Sequence, residues 1–112
     1  MLFEWDDEKN HRNLLKHDLS FETAALVFED PFALTQRDQL SEDEERWITV
    51  GAAQHGAVLF VVHTRVVRDG EEITRIISAR KTTPRERHSY EEAHQTTKNR
   101  DRRHRRQTKR RY

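Results

Sequence analysis

Residues 57–80 read AVLFVVHTRVVRDGEEITRIISAR, two runs rich in β-branched residues on either side of Asp69-Gly70. Val, Ile and Thr favour strands, and Asp-Gly is a strong signal for a two-residue hairpin turn. The segment therefore predicts two antiparallel strands, one over residues 57–67 and one over residues 73–80. If the loop has an even length, Arg65 lies opposite Thr74, and Arg80 lies opposite Leu59.

Alternation of side chains along these strands separates them into two sets. The predicted core set is apolar and consists of Phe60, Val62, Ile73, Ile77 and Ala79. The other face would be polar and partly open to solvent, and it would carry His63, Arg65 and Arg80. The plain alternative is that arginines on an outer sheet face are simply solvated.

The residues around this hairpin add helices and further strands. A short strand is predicted over residues 2–5. Asp6 caps a helix that reaches Lys16, and Ser20 begins a second helix that ends near Phe28. Two more strands are predicted over 32–37 and 46–52, and Pro84 favours a final helix. The order β-α-α-β-β-β-β-α is typical of an α+β fold with an antiparallel sheet and helices on one face.

The composition indicates one small domain with a basic extension. The chain has 112 residues and no cysteine, which excludes disulfides, thiolate metal sites and a cysteine nucleophile. Residues 94–112 contain nine Lys or Arg and one acidic residue, a net charge of +8. Residues 1–93 contain twelve Lys or Arg and nineteen Asp or Glu, a net charge of −7. We therefore predict a folded domain over 1–93 and a basic tail over 94–112 that meets a polyanion.

Several classes of protein are disfavoured by missing patterns. The N terminus lacks the order of a signal peptide, and no apolar run is long enough to cross a bilayer, which predicts a cytoplasmic protein without a membrane partner. There is no phosphate-binding loop, no GxGxxG and no HExxH pattern. We expect no cofactor and no metal site.

An ordered series of short signatures runs along most of the chain. They are Phe3-Glu4-Trp5-Asp6, Asn13–His17, Ser20–Ala24, Val27–Pro31, Glu44–Trp47, Val61–Arg65 and Arg75–Arg80, followed by Glu86, Arg87 and Tyr90. This series closely resembles the BrnT toxin family from Leu2 to about Glu92. The resemblance implies a RelE-like fold, ribonuclease activity that arrests translation, and neutralisation by a ribbon-helix-helix antitoxin encoded alongside. Two positions depart from the family pattern: Asp18 stands where glycine is usual, and His63 stands where an aromatic residue is common.

A ribonuclease that needs no metal uses the RNA's own 2′-hydroxyl to attack the adjacent phosphate. It requires a base, an acid for the leaving oxygen, and cations against the charge on phosphorus, a task that suits arginine. The candidate catalytic residues are Arg65, Arg80, His63, Glu86 and Tyr90. For Glu86 and Tyr90, a helix-cap contact and a half-buried aromatic residue are equally good interpretations.

The candidate RNA-binding residues are basic. Arg46 joins Arg65 if the hairpin at His55-Gly56 also has an even loop. The remaining candidates are Lys81 and the tail arginines Arg100, Arg102, Arg103, Arg105 and Arg106. The tail resembles arginine-rich RNA-binding segments. Its many arginines favour contact with RNA phosphates, because each neutralised phosphate releases counterions. A disordered, solubilising end is the alternative.

The expected partners are the RNA substrate and a cognate ribbon-helix-helix antitoxin. A two-fold symmetric antitoxin dimer presents two equivalent toxin sites, so we expect a heterotetramer, with operator DNA contacted only through the antitoxin. The alternative function is a non-catalytic module that binds nucleic acid through its basic tail. A second alternative is an acidic body that sequesters a basic protein.

Overall fold

A computed structural model of the chain describes residues 1–40, 42 and 45–94. The chain divides into two units, Met1–Thr82 and Thr83–Tyr112. The first unit contains a five-stranded sheet with its first helices, and the second begins with a helix over residues 84–94. The predicted division after Ala93, with a tail over 94–112, stays a prediction. Within the described residues, no helix is both long and apolar enough to cross a membrane.

The first helix, α1, spans Asp7–His17. Its N-cap is Asp6, as predicted, and the Asp6 carboxylate accepts the Lys9 N–H at 3.0 Å. That hydrogen bond lowers the pKa of Asp6, because it stabilises the ionised carboxylate. The helix ends at Asp18, which adopts a left-handed conformation with φ 57°. A left-handed residue after a helix is usually glycine, which explains the glycine that the family pattern has at this position.

The second helical segment is tighter than the sequence predicts. The α-helix α2 spans only Phe21–Ala24, and its N-cap Ser20 accepts the Thr23 N–H at 3.1 Å. A 3₁₀-helix over Ala25–Glu29 follows, where one α-helix to Phe28 was expected. Asp30 then binds the sheet through its carboxylate, which accepts the Ala52 N–H at 2.8 Å.

The strands are β1 (Leu2–Glu4), β2 (Leu34–Arg37), β3 (Trp47–Ala52), β4 (Val58–Arg68) and β5 (Glu71–Lys81), in the spatial order β1-β5-β4-β3-β2. The α+β class and the order of elements are confirmed. Strands β2 to β5 form the predicted antiparallel meander. The expectation of a wholly antiparallel sheet was wrong for β1, which pairs with β5 in parallel and makes the sheet mixed. A crossover through helices and three strands separates β1 from β5, so no hairpin constrains its direction.

The β4–β5 hairpin confirms one part of the predicted register and corrects the other. Asp69 and Gly70 form the turn, both with positive φ, and Arg65 lies opposite Thr74 as predicted. A β-bulge then interrupts the ladder, because His63 pairs with Ile76 while Val62 pairs with Ser78, which leaves an extra residue in β5. Beyond the bulge the register is shifted by one residue. Arg80 therefore lies opposite Phe60 and not opposite Leu59.

The sheet has two faces with different surroundings. The helix-covered face carries Thr49, Gly51, Leu59, Val61 and His63, and the opposite face carries Ile48, Val50, Phe60, Val62 and Arg80. The predicted core face was wrong for β4, since Leu59 and Val61 are fully buried whereas Phe60 and Val62 are only half-buried. On β5 the predicted core residue Ala79 is buried, but it lies opposite Val61 and not beside Phe60. The core consists of Leu19, Phe21, Ala24 and Val27 from the helical segment, with Leu59, Val61, Ile76 and Ala79 from the sheet.

Two contacts hold the helices against the helix-covered face, one at Gly51 of β3 and one at Ala79 of β5. A Cβ atom at Gly51 would lie 3.1 Å from the Cβ and carbonyl oxygen of Val27, so only glycine fits beneath the 3₁₀-helix without displacement. On β5, the buried Asn13 amide of α1 donates to the Ala79 carbonyl at 2.9 Å and accepts the Ala79 N–H at 3.2 Å. These contacts fix which face of the sheet becomes core.

Candidate active site

An open pocket of about 410 Å³ lies in the first unit beside the middle of β4. Its lining residues are Met1, Phe28, Thr35, His63, Thr64, Arg65, Glu72 and Thr74. His63 and Arg65 lie two residues apart on β4, so both side chains extend from the helix-covered face, and their Cα atoms are about 7 Å apart. The structure therefore brings together two of the five predicted catalytic residues in one pocket.

His63 is held inside this pocket by contacts on two sides of its ring. It is 8% exposed, and its Nε2 lies 2.7 Å from the Thr49 hydroxyl. The Phe28 ring meets it edge-to-face, with the centroids 4.9 Å apart. The second ring nitrogen, Nδ1, has no hydrogen-bond partner among the described residues. An imidazole thus fills the place where the family commonly has an aromatic ring, and it adds a nitrogen beside the pocket.

Burial keeps the His63 ring neutral at physiological pH. Desolvation, with a smaller contribution from the positive charge of Arg65, lowers the pKa of His63 from 6.5 to about 4. A neutral imidazole accepts a proton through one nitrogen and donates through the other. At pH 7 the ring is therefore in the form that can accept a proton, and its lowered pKa makes it a weaker base than an ordinary histidine.

Arg65 lies at the exposed rim of the same pocket. Its Nε is 2.5 Å from the Glu72 carboxylate, and its guanidinium carbon is 5.9 Å from the centre of the Trp47 ring. The two charged side chains are 66% and 59% exposed. A pair this exposed contributes only about 0–1 kcal/mol to stability, so another anion readily replaces the carboxylate.

Arg80 lies on the other side of the sheet. Its guanidinium carbon is 3.9 Å from the centre of the Phe60 ring, and its Nη1 donates to the Lys81 carbonyl at 3.2 Å. The expectation that His63, Arg65 and Arg80 share one face was wrong, because the bulge between Val62 and His63 reverses the parity of β5.

Two further basic candidates lie away from Arg65. The loop between β3 and β4 comprises residues 53–57, an odd number, so the condition that would have aligned Arg46 with Arg65 is not met. Arg46 directly precedes β3, and alternation from Trp47 assigns it to the opposite face. Lys81 is exposed at the end of β5, opposite Leu59.

The remaining catalytic candidates belong to the second unit. The Glu86 carboxylate accepts the Thr83 N–H at 2.9 Å, while the Glu86 N–H donates to the Thr83 hydroxyl at 3.2 Å. This reciprocal pair is a capping box, the structural interpretation of Glu86 that the sequence left open. Tyr90 is buried, and its ring lies 6.2 Å from that of His94. The tail candidates Arg100, Arg102, Arg103, Arg105 and Arg106 lie outside the described residues.

Sequence reasoning missed several residues that line the pocket or lie directly behind it. Thr35 and Thr49 form a cross-strand hydroxyl pair at 2.8 Å, Glu72 pairs with Arg65, and Phe28 packs on His63. A polar Thr49 between Ile48 and Val50 was the one local signal. Its pairing with His63 depends on the register of β3 against β4, which the odd loop sets. Within the part of the chain that the structure describes, no cluster of three His, Cys, Asp or Glu is placed to hold a metal ion.

Comparisons with known proteins agree with this architecture. The family model for the ribonuclease toxin BrnT of type II toxin–antitoxin systems matches residues 5–86. The crystal structure of the Brucella abortus ribonuclease toxin BrnT matches with a TM-score of 0.53 and 21% sequence identity, over 74% of this chain and 99% of that chain. At this identity the structural similarity concerns the fold. No curated protein sequence matches this chain.

Proposed function

Because the chain belongs to the BrnT family of ribonuclease toxins of type II toxin–antitoxin systems, we propose that it cleaves RNA without a metal ion, at the pocket that contains His63 and Arg65. The observation that carries this proposal is the placement of a neutral imidazole and a guanidinium side by side on the helix-covered face. Together they supply a base and a cation for attack of the 2′-hydroxyl on the neighbouring phosphate.

Arg65 has the role of binding the scissile phosphate. Its planar fork matches two phosphate oxygens, and the charge on those oxygens increases as the transition state forms. Glu72 occupies this fork in the free protein. RNA binding then replaces one anion by another, and the released Glu72 carboxylate is hydrated at the rim.

His63 has the role of the base. Its Nδ1 accepts the proton of the 2′-hydroxyl, the 2′-oxygen bonds to phosphorus, and the bond from phosphorus to the 5′-oxygen breaks. The products are a 2′,3′-cyclic phosphate and a 5′-hydroxyl. Water supplies the proton of the 5′-hydroxyl, and His63 then returns its proton to water. Glu86 and Tyr90 stay predictions as further catalytic residues. The prediction that Arg80 is catalytic stays untested, but its position on the opposite face gives it no part in the chemistry at this pocket.

The partner is proposed to be an antitoxin, as membership of a type II family implies. We propose the ribbon-helix-helix type, encoded alongside, in a heterotetramer that contacts operator DNA only through the antitoxin. Neutralisation in the cytoplasm then releases translation from arrest. Light scattering of the co-purified complex tests the stoichiometry, and one toxin per antitoxin dimer would contradict it.

The test of the reaction is cleavage of a short RNA by the purified protein in the presence of EDTA. The expected products carry 2′,3′-cyclic phosphate ends, and the same oligonucleotide with a 2′-O-methyl group at the cleaved position stays intact. Cleavage that EDTA abolishes would refute the metal-free mechanism. Intact RNA with folded protein would favour the non-catalytic binding module.

A further inference from the structure

Three polar side chains from three adjacent strands form a hydrogen-bonded chain on the helix-covered face. The Thr35 hydroxyl of β2 lies 2.8 Å from the Thr49 hydroxyl of β3, which lies 2.7 Å from Nε2 of His63 on β4. Thr49 is 1% exposed, whereas Thr35 is exposed and also lines the pocket. The chain therefore runs from a buried imidazole to solvent.

Thr49 is the central residue of this hydrogen-bonded chain. It is one of few buried polar side chains in the described part of the molecule, and both hydrogen bonds of its hydroxyl are to members of the chain. A hydroxyl donates one hydrogen bond and accepts others, so it can accept from an imidazole N–H while it donates to Thr35. Burying a hydroxyl in a sheet core lowers the stability of the protein unless the hydroxyl is hydrogen-bonded. Valine has nearly the same shape as threonine and would fill this position without that penalty.

We propose that Thr49 is a positioning residue that accepts a hydrogen bond from Nε2–H of His63 and donates one to Thr35, so that the lone pair of Nδ1 is presented to the pocket. This inference rests on the proposed function, in which Nδ1 takes the proton of the 2′-hydroxyl. When Nδ1 is protonated, the ring becomes a cation, and the acceptor on Nε2–H stabilises it. A third group that orients the base is a recurring feature of acid–base sites.

The direction of the chain follows from the charges around the pocket. Nε2 is bonded to Thr49, so Nδ1 is the nitrogen left for the pocket that Arg65 also lines. A guanidinium attracts a lone pair and repels an N–H, which favours an unprotonated Nδ1. The other charged side chain that lines the pocket is Glu72 from β5, which is paired with Arg65. The Arg37–Glu45 pair lies farther out, beside Trp47. The Thr49 hydroxyl is bonded to the Thr35 hydroxyl and to Nε2, so it is the acceptor available to an Nε2–H.

The experiment measures the tautomer directly in the full-length protein labelled with ¹⁵N-histidine. At pH 7 the two-bond couplings of the His63 ring should identify Nε2 as protonated and Nδ1 as unprotonated. Thr49→Val removes the hydroxyl at nearly constant shape, and it should convert this signal to a mixture of tautomers. The same variant should lower kcat by about 10- to 100-fold, a part of what a positioned base contributes. KM should be unchanged, because phosphate binding by Arg65 is untouched.

Three further variants keep the result interpretable. Thr49→Ser restores the hydroxyl and should restore both the tautomer and most of kcat. Thr35→Val removes only the exposed end of the chain, and it should shift kcat in the same direction by a smaller factor even if Thr49→Val fails to fold. Ser78→Ala removes a hydroxyl from the opposite face, where Ser78 pairs with Val62, and it should change neither quantity.

Three results would count against the inference. Protonated Nδ1 in the wild type, with RNA cleavage intact, refutes the proposed direction of the chain and the assignment of Nδ1 as the base, while metal-free cleavage of RNA stands. An unchanged tautomer and an unchanged kcat in both Thr49→Val and Thr35→Val refute the positioning role. The expected tautomer in a protein that cleaves no RNA refutes the proposed function, and with it the catalytic purpose of the chain.

Discussion

Arg65 and Arg80 come from the same hairpin but lie on opposite faces of the sheet, in different chemical surroundings. Arg65, on the helix-covered face, lies beside a buried imidazole and holds a carboxylate that an anion can replace. Arg80, on the opposite face, lies flat on Phe60 and donates to a backbone carbonyl. Residue type alone therefore does not predict which of the two arginines would bind a phosphate. The groups around each guanidinium decide whether it can receive a phosphate next to a base.

The largest expected effect separates the two arginines. Arg65→Ala should reduce RNA cleavage by roughly 100- to 1,000-fold, the usual loss for one strong transition-state contact. Arg80→Ala should reduce it by less than about tenfold, because Arg80 lies on the face away from His63. Cleavage rates measured at saturating RNA test the difference, with thermal melting as a check of folding. Equal losses in two folded variants would show that the faces do not divide the function in this way.

The next effect concerns the titration of His63, which lies on the helix-covered face. Its pKa is about 4 when folded and 6.5 ordinarily, so the unfolded chain takes up the proton first as the pH falls. The stability contributed by the neutral ring is fully present above pH 6.5 and is lost progressively towards pH 4. The whole difference corresponds to roughly 3 kcal/mol, of which about 2 kcal/mol is lost between pH 7 and pH 5.

Urea unfolding at pH 7, 6 and 5 measures this loss. The matched variant is His63→Phe, which keeps an aromatic ring against Phe28 and removes the titrating group. Its stability should depend less on pH in this range. Glu4 and Asp6, whose pKa values are lowered, lose their contributions only below pH 4.5, so they do not obscure the comparison. Parallel pH profiles for the two proteins would show that His63 is already hydrated in the folded state.

A third effect compares a methyl group added on the helix-covered face with a hydroxyl group removed from the opposite face. Gly51→Ala places a Cβ atom 3.1 Å from Val27, so the 3₁₀-helix must move, at a cost of about 1–3 kcal/mol in the free energy of unfolding. Ser78→Ala, on the opposite face, should change stability by less than about 0.5 kcal/mol. Denaturant midpoints measure both. A neutral Gly51→Ala would mean that the helical segment is not pressed against β3.

The smallest effect concerns the basic tail and not the faces themselves. Residues 1–93 carry a net charge of −7, and residues 94–112 carry +8, so the tail should raise encounter and weak affinity for RNA. Truncation after Ala93 should leave cleavage at saturating RNA intact, and the ratio between the Arg65 and Arg80 variants should not change. Affinity should fall and its salt dependence should flatten. Equal salt slopes with and without the tail would show that the tail does not contact RNA.

Much of the fold could be predicted because its signals are local. Asp6 and Ser20 cap their helices through bonds that span three residues, and Asp69-Gly70 fixes a two-residue turn together with the register beside it. The family pattern likewise indicated the toxin class, which the family match supports. The glycine that is usual at position 18 also has a local cause, since the residue there adopts a left-handed backbone.

The sequence by itself determined the elements, their order, the class of toxin and the two residues, His63 and Arg65, that meet in the pocket. Only the tertiary structure decided which side of the sheet is core. One bulged residue in β5 reverses the parity of every later side chain, and Gly51 lets the helical segment settle on the face that carries Leu59 rather than Phe60. Both faces of these strands are apolar enough to be core, so burial could not be predicted from the pattern. The choice depends on contacts between residues far apart in the chain, which alternation alone does not encode.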